Sequence, residues 1–111
     1  MNYFLYKLTP PRPTFHLDMT RAEGRLMMDH VQYWNMLKNE EQVIAFGPVA
    51  DPEGLYSIVV MQLENRADAN ILVANDPTIL ANVGFTFSVC PMPDLVLRAQ
   101  RCRQMFEQLH A

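Results

Sequence analysis

The chain has 111 residues, half of them hydrophobic and 19% charged, enough for one core and one domain. Its formal charge is −3 with Lys and Arg scattered, so no basic stripe exists for a phosphate backbone and no nucleic-acid partner is expected. Apolar runs of a few residues exclude a membrane span, Met1 to Leu8 lacks an export signal, and the two separated cysteines, Cys90 and Cys102, fit a reducing cytoplasm rather than a disulfide framework.

Asn2 to Leu8 (NYFLYKL) is aromatic and aliphatic, which suits a strand covered on both faces, and Pro10, Pro11 and Pro13 end it in a loop. Thr20 with Glu23 three residues later forms a capping box and opens a helix to about Asn39. At about 100° per residue, Leu26, Met27, His30, Tyr33, Trp34 and Leu37 share one face, so His30 points inward. Gln42 to Pro48 reads as a second strand, and Asp51-Pro52-Glu53-Gly54 supplies a reversal into a third, Leu55 to Leu63. Ile58, Val59 and Val60 in succession make that strand too apolar for one wet face. Asn65 caps a short helix to about Asn75, with Asp68 in its first turn, and Pro77 stops it. After a small turn around Ile79 to Asn82, Phe85, Phe87 and Val89 alternate with Thr86, Ser88 and Cys90 as a last strand.

The order is βαββαβ, an α+β arrangement with helices on one face of an antiparallel sheet. A second copy is the economical cover for the other face, so the expected partner is the chain itself, as a homodimer or a higher oligomer. Residues 1–92 form the expected domain. Residues 93–111 are expected to add a C-terminal helix with Leu95, Ala99, Cys102, Met105, Phe106 and Leu109 on one side.

Three histidines make the search for acid–base chemistry short. His16 in the Pro-rich loop and His110 near the end are expected in solvent, whereas His30 sits on an apolar helix face and needs a partner. Taken alone, an inward histidine is more often a hydrogen-bonded core residue than a catalyst. Asp76 is the second clue, because a carboxylate at a helix C-terminus faces the negative end of the dipole unless a cation offsets it. As Asn75-Asp76-Pro77 it also needs no explanation beyond helix termination. No HxxxH or HExxH face surrounds His30, no GxGxxG or P-loop occurs, and the four glycines are isolated, so neither a metal nor a nucleotide cofactor is expected.

The stretches YFLYKLTPPRP, DHVQYW (29–34), FGPVADPEG (46–54), NDP (75–77) and FTFSVCPMP (85–93) together carry a resemblance. From about residue 2 to 92 the chain resembles the YCII (YciI-like) family of small dimeric α+β barrels on a ferredoxin-like fold. The resemblance implies that His30 and Asp76 match the family's His–Asp pair, which is proposed there to be catalytic. Such a pair fixes one imidazole nitrogen and leaves the other as a base. Ser57 and Ser88 lie mid-strand and no GxSxG turn exists, which disfavours acyl transfer.

The leading expectation is therefore a cofactor-free enzyme moving a proton in elimination, isomerisation or dehydrohalogenation of a small cyclic or aromatic compound. Trp34, Tyr33 and Phe46 are candidates to line its pocket, though core packing explains Trp34 equally well. Arg12 is a candidate to hold an anionic substrate group, and Asp51 is read as a turn residue. The rival is a non-catalytic dimeric module that binds a small ligand or a protein, with His30 structural. A cofactor-free oxygenase ranks third.

Overall fold

The computed structural model describes residues 1–98. The first strand, β1 (Asn2–Thr9), buries Phe4, Tyr6 and Leu8 at alternate positions and turns Tyr3, Leu5 and Lys7 to the other face. A short helix α1 (Phe15–Asp18) precedes α2 (Arg21–Asn39), whose start is set by the expected capping box between Thr20 and Glu23. Strands β2 (Val43–Val49) and β3 (Tyr56–Leu63) form the hairpin, where Asp51 accepts the Glu53 N–H in the turn. Helix α3 (Arg66–Ala74) is capped by Asn65, which accepts the Asp68 N–H. A four-residue helix α4 (Pro77–Leu80) leads on to the last strand, β4 (Thr86–Pro91).

The sheet order is β2-β3-β1-β4 with every neighbouring pair antiparallel, so β3 lies between β1 and β2, and the fold is ferredoxin-like α+β. On the helix side, Phe4, Tyr6 and Leu8 join Val59, Met61 and Leu63 of β3, and Trp34, Leu37, Ala69 and Val73 close the core from α2 and α3. On the other side, Tyr3, Leu5, Ile58 and Val60 are half-buried within one chain. The expectation of apolar residues on both faces of β3 is met, and the second face has no helix over it among the described residues.

Two expectations are corrected. The Pro-rich loop contains α1, because Phe15 has an apolar place to go: it is 3% exposed and meets Phe85 edge-on at 5.4 Å. Pro11 and Pro13 hold this segment down by close approach to glycines. A Cβ on Gly84 (φ +103°) would come 3.0 Å from Pro11 Cβ, and one on Gly54 (φ +142°) 3.2 Å from Pro13 Cα. The second correction concerns Asp76. Pro77 does not end helical structure; it occupies the first turn of α4, where a missing N–H costs nothing, and Asp76 is the cap of that helix. The small turn expected at Ile79 to Asn82 is the end of α4. Beyond residue 98, the expected C-terminal helix lies outside the described residues.

Candidate functional site

His30 and Trp34 lie one turn apart on α2, so both side chains reach the same point of the core. That point is the Asp76 carboxylate. His30 Nδ1 is 2.7 Å from Asp76 Oδ2, and the same oxygen accepts from Trp34 Nε1 at 2.7 Å and from the Tyr6 hydroxyl at 3.0 Å. Oδ1 accepts from the Thr78 N–H at 2.9 Å and from the Thr78 hydroxyl at 2.7 Å. Four elements thus meet on one carboxylate: β1 through Tyr6, α2 through His30 and Trp34, the α3–α4 junction through Asp76, and α4 through Thr78.

The cluster is dry. Asp76 and Trp34 have no exposed surface and His30 is 3% exposed. Burial by itself raises the Asp76 carboxyl. The hydrogen bond and charge of His30, with the bonds from Trp34 and Thr78, outweigh it and hold the carboxyl below its ordinary value. Burial first, and then the Asp76 charge, push the Tyr6 phenol far up, and the same causes push Tyr33 up to about 12. An ionised carboxylate only accepts, so Nδ1 carries the proton on the shared bond. Nε2 has no hydrogen-bond partner among the described residues. It is not a buried unpaired atom either, which leaves it a narrow opening.

The expected pair is therefore in contact, although the reason inferred for Asp76 was wrong. Its carboxylate does not face the negative end of a dipole in need of a cation; it caps α4, with Thr78 as its local partner. Trp34, expected as a stacking surface, has no exposed face and acts on Asp76 instead. Tyr33 is half-buried, its hydroxyl donating to Leu72 O at 2.7 Å and its ring edge-on to Trp34 at 5.0 Å. Phe46 packs against the core. The reading of Arg12 as an anion clamp is overturned by its partners. Its guanidinium forks onto both Glu23 oxygens at 2.8 and 2.9 Å and bonds Asp18 at 2.7 Å, tying α1 to the start of α2. The Arg12 and Thr20 bonds in turn hold the Glu23 carboxyl down at about 2.

Tyr6 and Thr78 were not among the expected site residues. The sign of Tyr6 was its inward position in β1, since a buried phenol needs an acceptor; that of Thr78 was its place two residues after an aspartate in Asp-Pro-Thr, a helix-capping pattern. Phe87 also borders this region. It projects to the helix side opposite Leu8, lies edge-on to Tyr6 at 6.2 Å, and is 51% exposed. Two surface grooves lie elsewhere: one beside Lys7, Thr9 and Tyr56 under the Pro-rich segment, the other beside Glu40, Glu64 and Asp68. Among the described residues no three His, Cys, Asp or Glu side chains converge as a metal site, and no helix is long and apolar enough to cross a membrane.

The fold is shared with solved structures. One is the 5-chloro-2-hydroxyhydroquinone dehydrochlorinase TftG of Burkholderia phenoliruptrix, determined in complex with 2,5-dihydroxybenzoquinone. The alignment has a TM-score of 0.53 and 18% identity, over 79% of this chain and 91% of that one. No curated protein sequence matches the chain. Residues 1–93 match the YCII-related domain, and the chain belongs to that family.

Proposed function

We propose that this protein is a cofactor-independent enzyme in which Nε2 of His30 takes a proton from, or returns one to, a small cyclic or aromatic compound. The observation that carries this reading is the 2.7 Å contact between His30 Nδ1 and an Asp76 carboxylate that can only accept. With Nδ1 committed, the unpaired Nε2 is left as base when bare and as acid when protonated. TftG, similar in fold, is by its title a dehydrochlorinase bound to a dihydroxyquinone. Dehydrochlorination suits such a base: Nε2 removes a proton, chloride leaves with its bonding electron pair, and net loss of HCl needs no redox partner. The exposed ring of Phe87 beside Tyr6 suits a flat substrate. The half-buried outer face of the sheet, with Leu5, Ile58 and Val60, suits pairing of two copies sheet to sheet.

The burial of His30 and Asp76 favours a second reading, in which the pair is a structural polar core of a small-ligand-binding or protein-interaction module. One experiment separates the two. Chlorinated hydroquinones, catechols and lactones are screened with the wild type and His30→Ala, following chloride release and ultraviolet absorbance. The enzyme reading expects turnover in the wild type and its loss in a folded His30→Ala protein. Equal turnover in both, or none from either across the panel, returns His30 to the structural reading.

A further inference from the structure

Asp76 has more partners than a helix cap uses. Thr78 alone satisfies Oδ1, through its N–H and its hydroxyl. The other oxygen takes three donors from two further elements, Tyr6 on β1 and His30 and Trp34 on α2. An indole N–H only donates, and the fully buried Tyr6 hydroxyl has no other partner among the described residues. Both are therefore committed to Oδ2. With Thr78 holding the far oxygen, the carboxylate cannot rotate without breaking bonds at both ends.

The other groups facing this oxygen are few. From α2, the Tyr33 phenol is spent on Leu72 O, and no Lys or Arg among the described residues bonds Asp76. Thus Oδ2 cannot accept the imidazole proton without dropping a Tyr6 or Trp34 bond in a dry site, where an orphaned donor is costly.

We propose that Tyr6 and Trp34 are positioning residues for His30: sharing Oδ2 with Nδ1, they keep that oxygen a fixed acceptor, so the imidazole retains its Nδ1 proton throughout and only Nε2 exchanges protons with a ligand. The assignment deepens the proton-transfer reading above, on which its functional meaning rests. It also excludes relay of the proton onto Asp76.

The test uses the full chain with nitrogen-15 histidine and carbon-13 aspartate, followed by NMR against pH, and needs no substrate, so it is decided independently of the turnover screen. In the wild type, unprotonated His30 should carry its hydrogen on Nδ1, and the Asp76 carboxyl should titrate below the ordinary aspartate range. Tyr6→Phe, which removes one oxygen and keeps the ring, and Trp34→Phe should each move that carboxyl midpoint upward by about half a pH unit or more, the effect of one lost donor. A packing role alone would lower the melting temperature and leave the midpoint in place. An Nε2–H form in the wild type overturns the proposal even if both variants fail to fold, and so does an unmoved Asp76 midpoint in folded Tyr6→Phe.

Discussion

Replacing Asp76 by asparagine keeps the shape of the side chain and removes its charge, and the structure dictates what that costs. The carboxylate accepts five hydrogen bonds, whereas an amide has one accepting oxygen and an NH2 that donates. Turned one way, the NH2 meets the Thr78 N–H; turned the other, it meets the Trp34 indole N–H. Neither can accept, so one buried donor is orphaned at about 1–3 kcal/mol. The surviving bonds fall from charge-assisted strength toward the neutral value of about 1 kcal/mol each, partly offset because no charge is buried. The net expectation is a loss of about 3 kcal/mol at neutral pH, a large share of the roughly 5–15 kcal/mol that holds such a domain. Urea unfolding midpoints of the two proteins measure it. The sign against pH follows from the lowered folded-state carboxyl of Asp76. Its stabilisation is present above the unfolded aspartate value of about 3.9 and is lost as pH falls through the folded one, so the gap should close in acid. A gap under about 1 kcal/mol at neutral pH, or one that persists unchanged in acid, refutes the account.

Three further outcomes are expected. Tyr6 and Tyr33 are raised in the folded state, Tyr33 to about 12, so their contribution is complete below the unfolded value of about 10 and fades above it; thermal melts between pH 9 and about 12 should fall, less steeply in Tyr6→Phe. Phe15→Ala should cost about 3–4 kcal/mol in urea unfolding because it empties a buried aromatic site against Phe85, and a loss near zero would mean that α1 is not anchored by that ring. Light scattering at micromolar concentration should give twice the chain mass for the wild type and a monomer for Val60→Lys, whose charge falls on the outer sheet face; a monomeric wild type removes the sheet-to-sheet dimer.

Much of the fold could be read from short-range chemistry. Alternation in Asn2–Thr9, the Thr20–Glu23 box and the Asn65 cap act through neighbouring residues, so strand, helix and cap stand where local rules put them. Phe15–Asp18 could not be read that way. Three prolines nearby argue for a loop, and only Phe85, 70 positions away, gives Phe15 a reason to fold inward. The candidate site divides similarly. His30 and Trp34 were visible as an inward i, i+4 pair, and Asp76 as a carboxylate beside a proline. Tyr6 entered from β1 through a bond spanning 70 positions, which no local pattern signals. Arg12 misled for the opposite reason: its charge was plain, but Glu23 and Asp18 had already claimed it.

Within the buried cluster, the members are not equally required by packing. Trp34 and Tyr6 offer large apolar bodies to the core, and their polar tips need the acceptor that Asp76 provides. Thr78 and Asp76 make the turn into α4. His30 alone has no such reason to be there, since leucine at that place on α2 would fill the face between Met27 and Trp34 and leave four donors on the carboxylate. Losing the charge-assisted bond costs about 1.5–3 kcal/mol, and burying a leucine returns about 1.5. His30→Leu should therefore lower stability by only about 1 kcal/mol, well below Asp76→Asn. Urea midpoints of the two variants side by side decide the matter. If His30→Leu costs as much as Asp76→Asn, the imidazole is a structural keystone, and its presence needs no chemistry at Nε2. If it costs far less, stability does not account for a histidine in this core, and its unpaired nitrogen does.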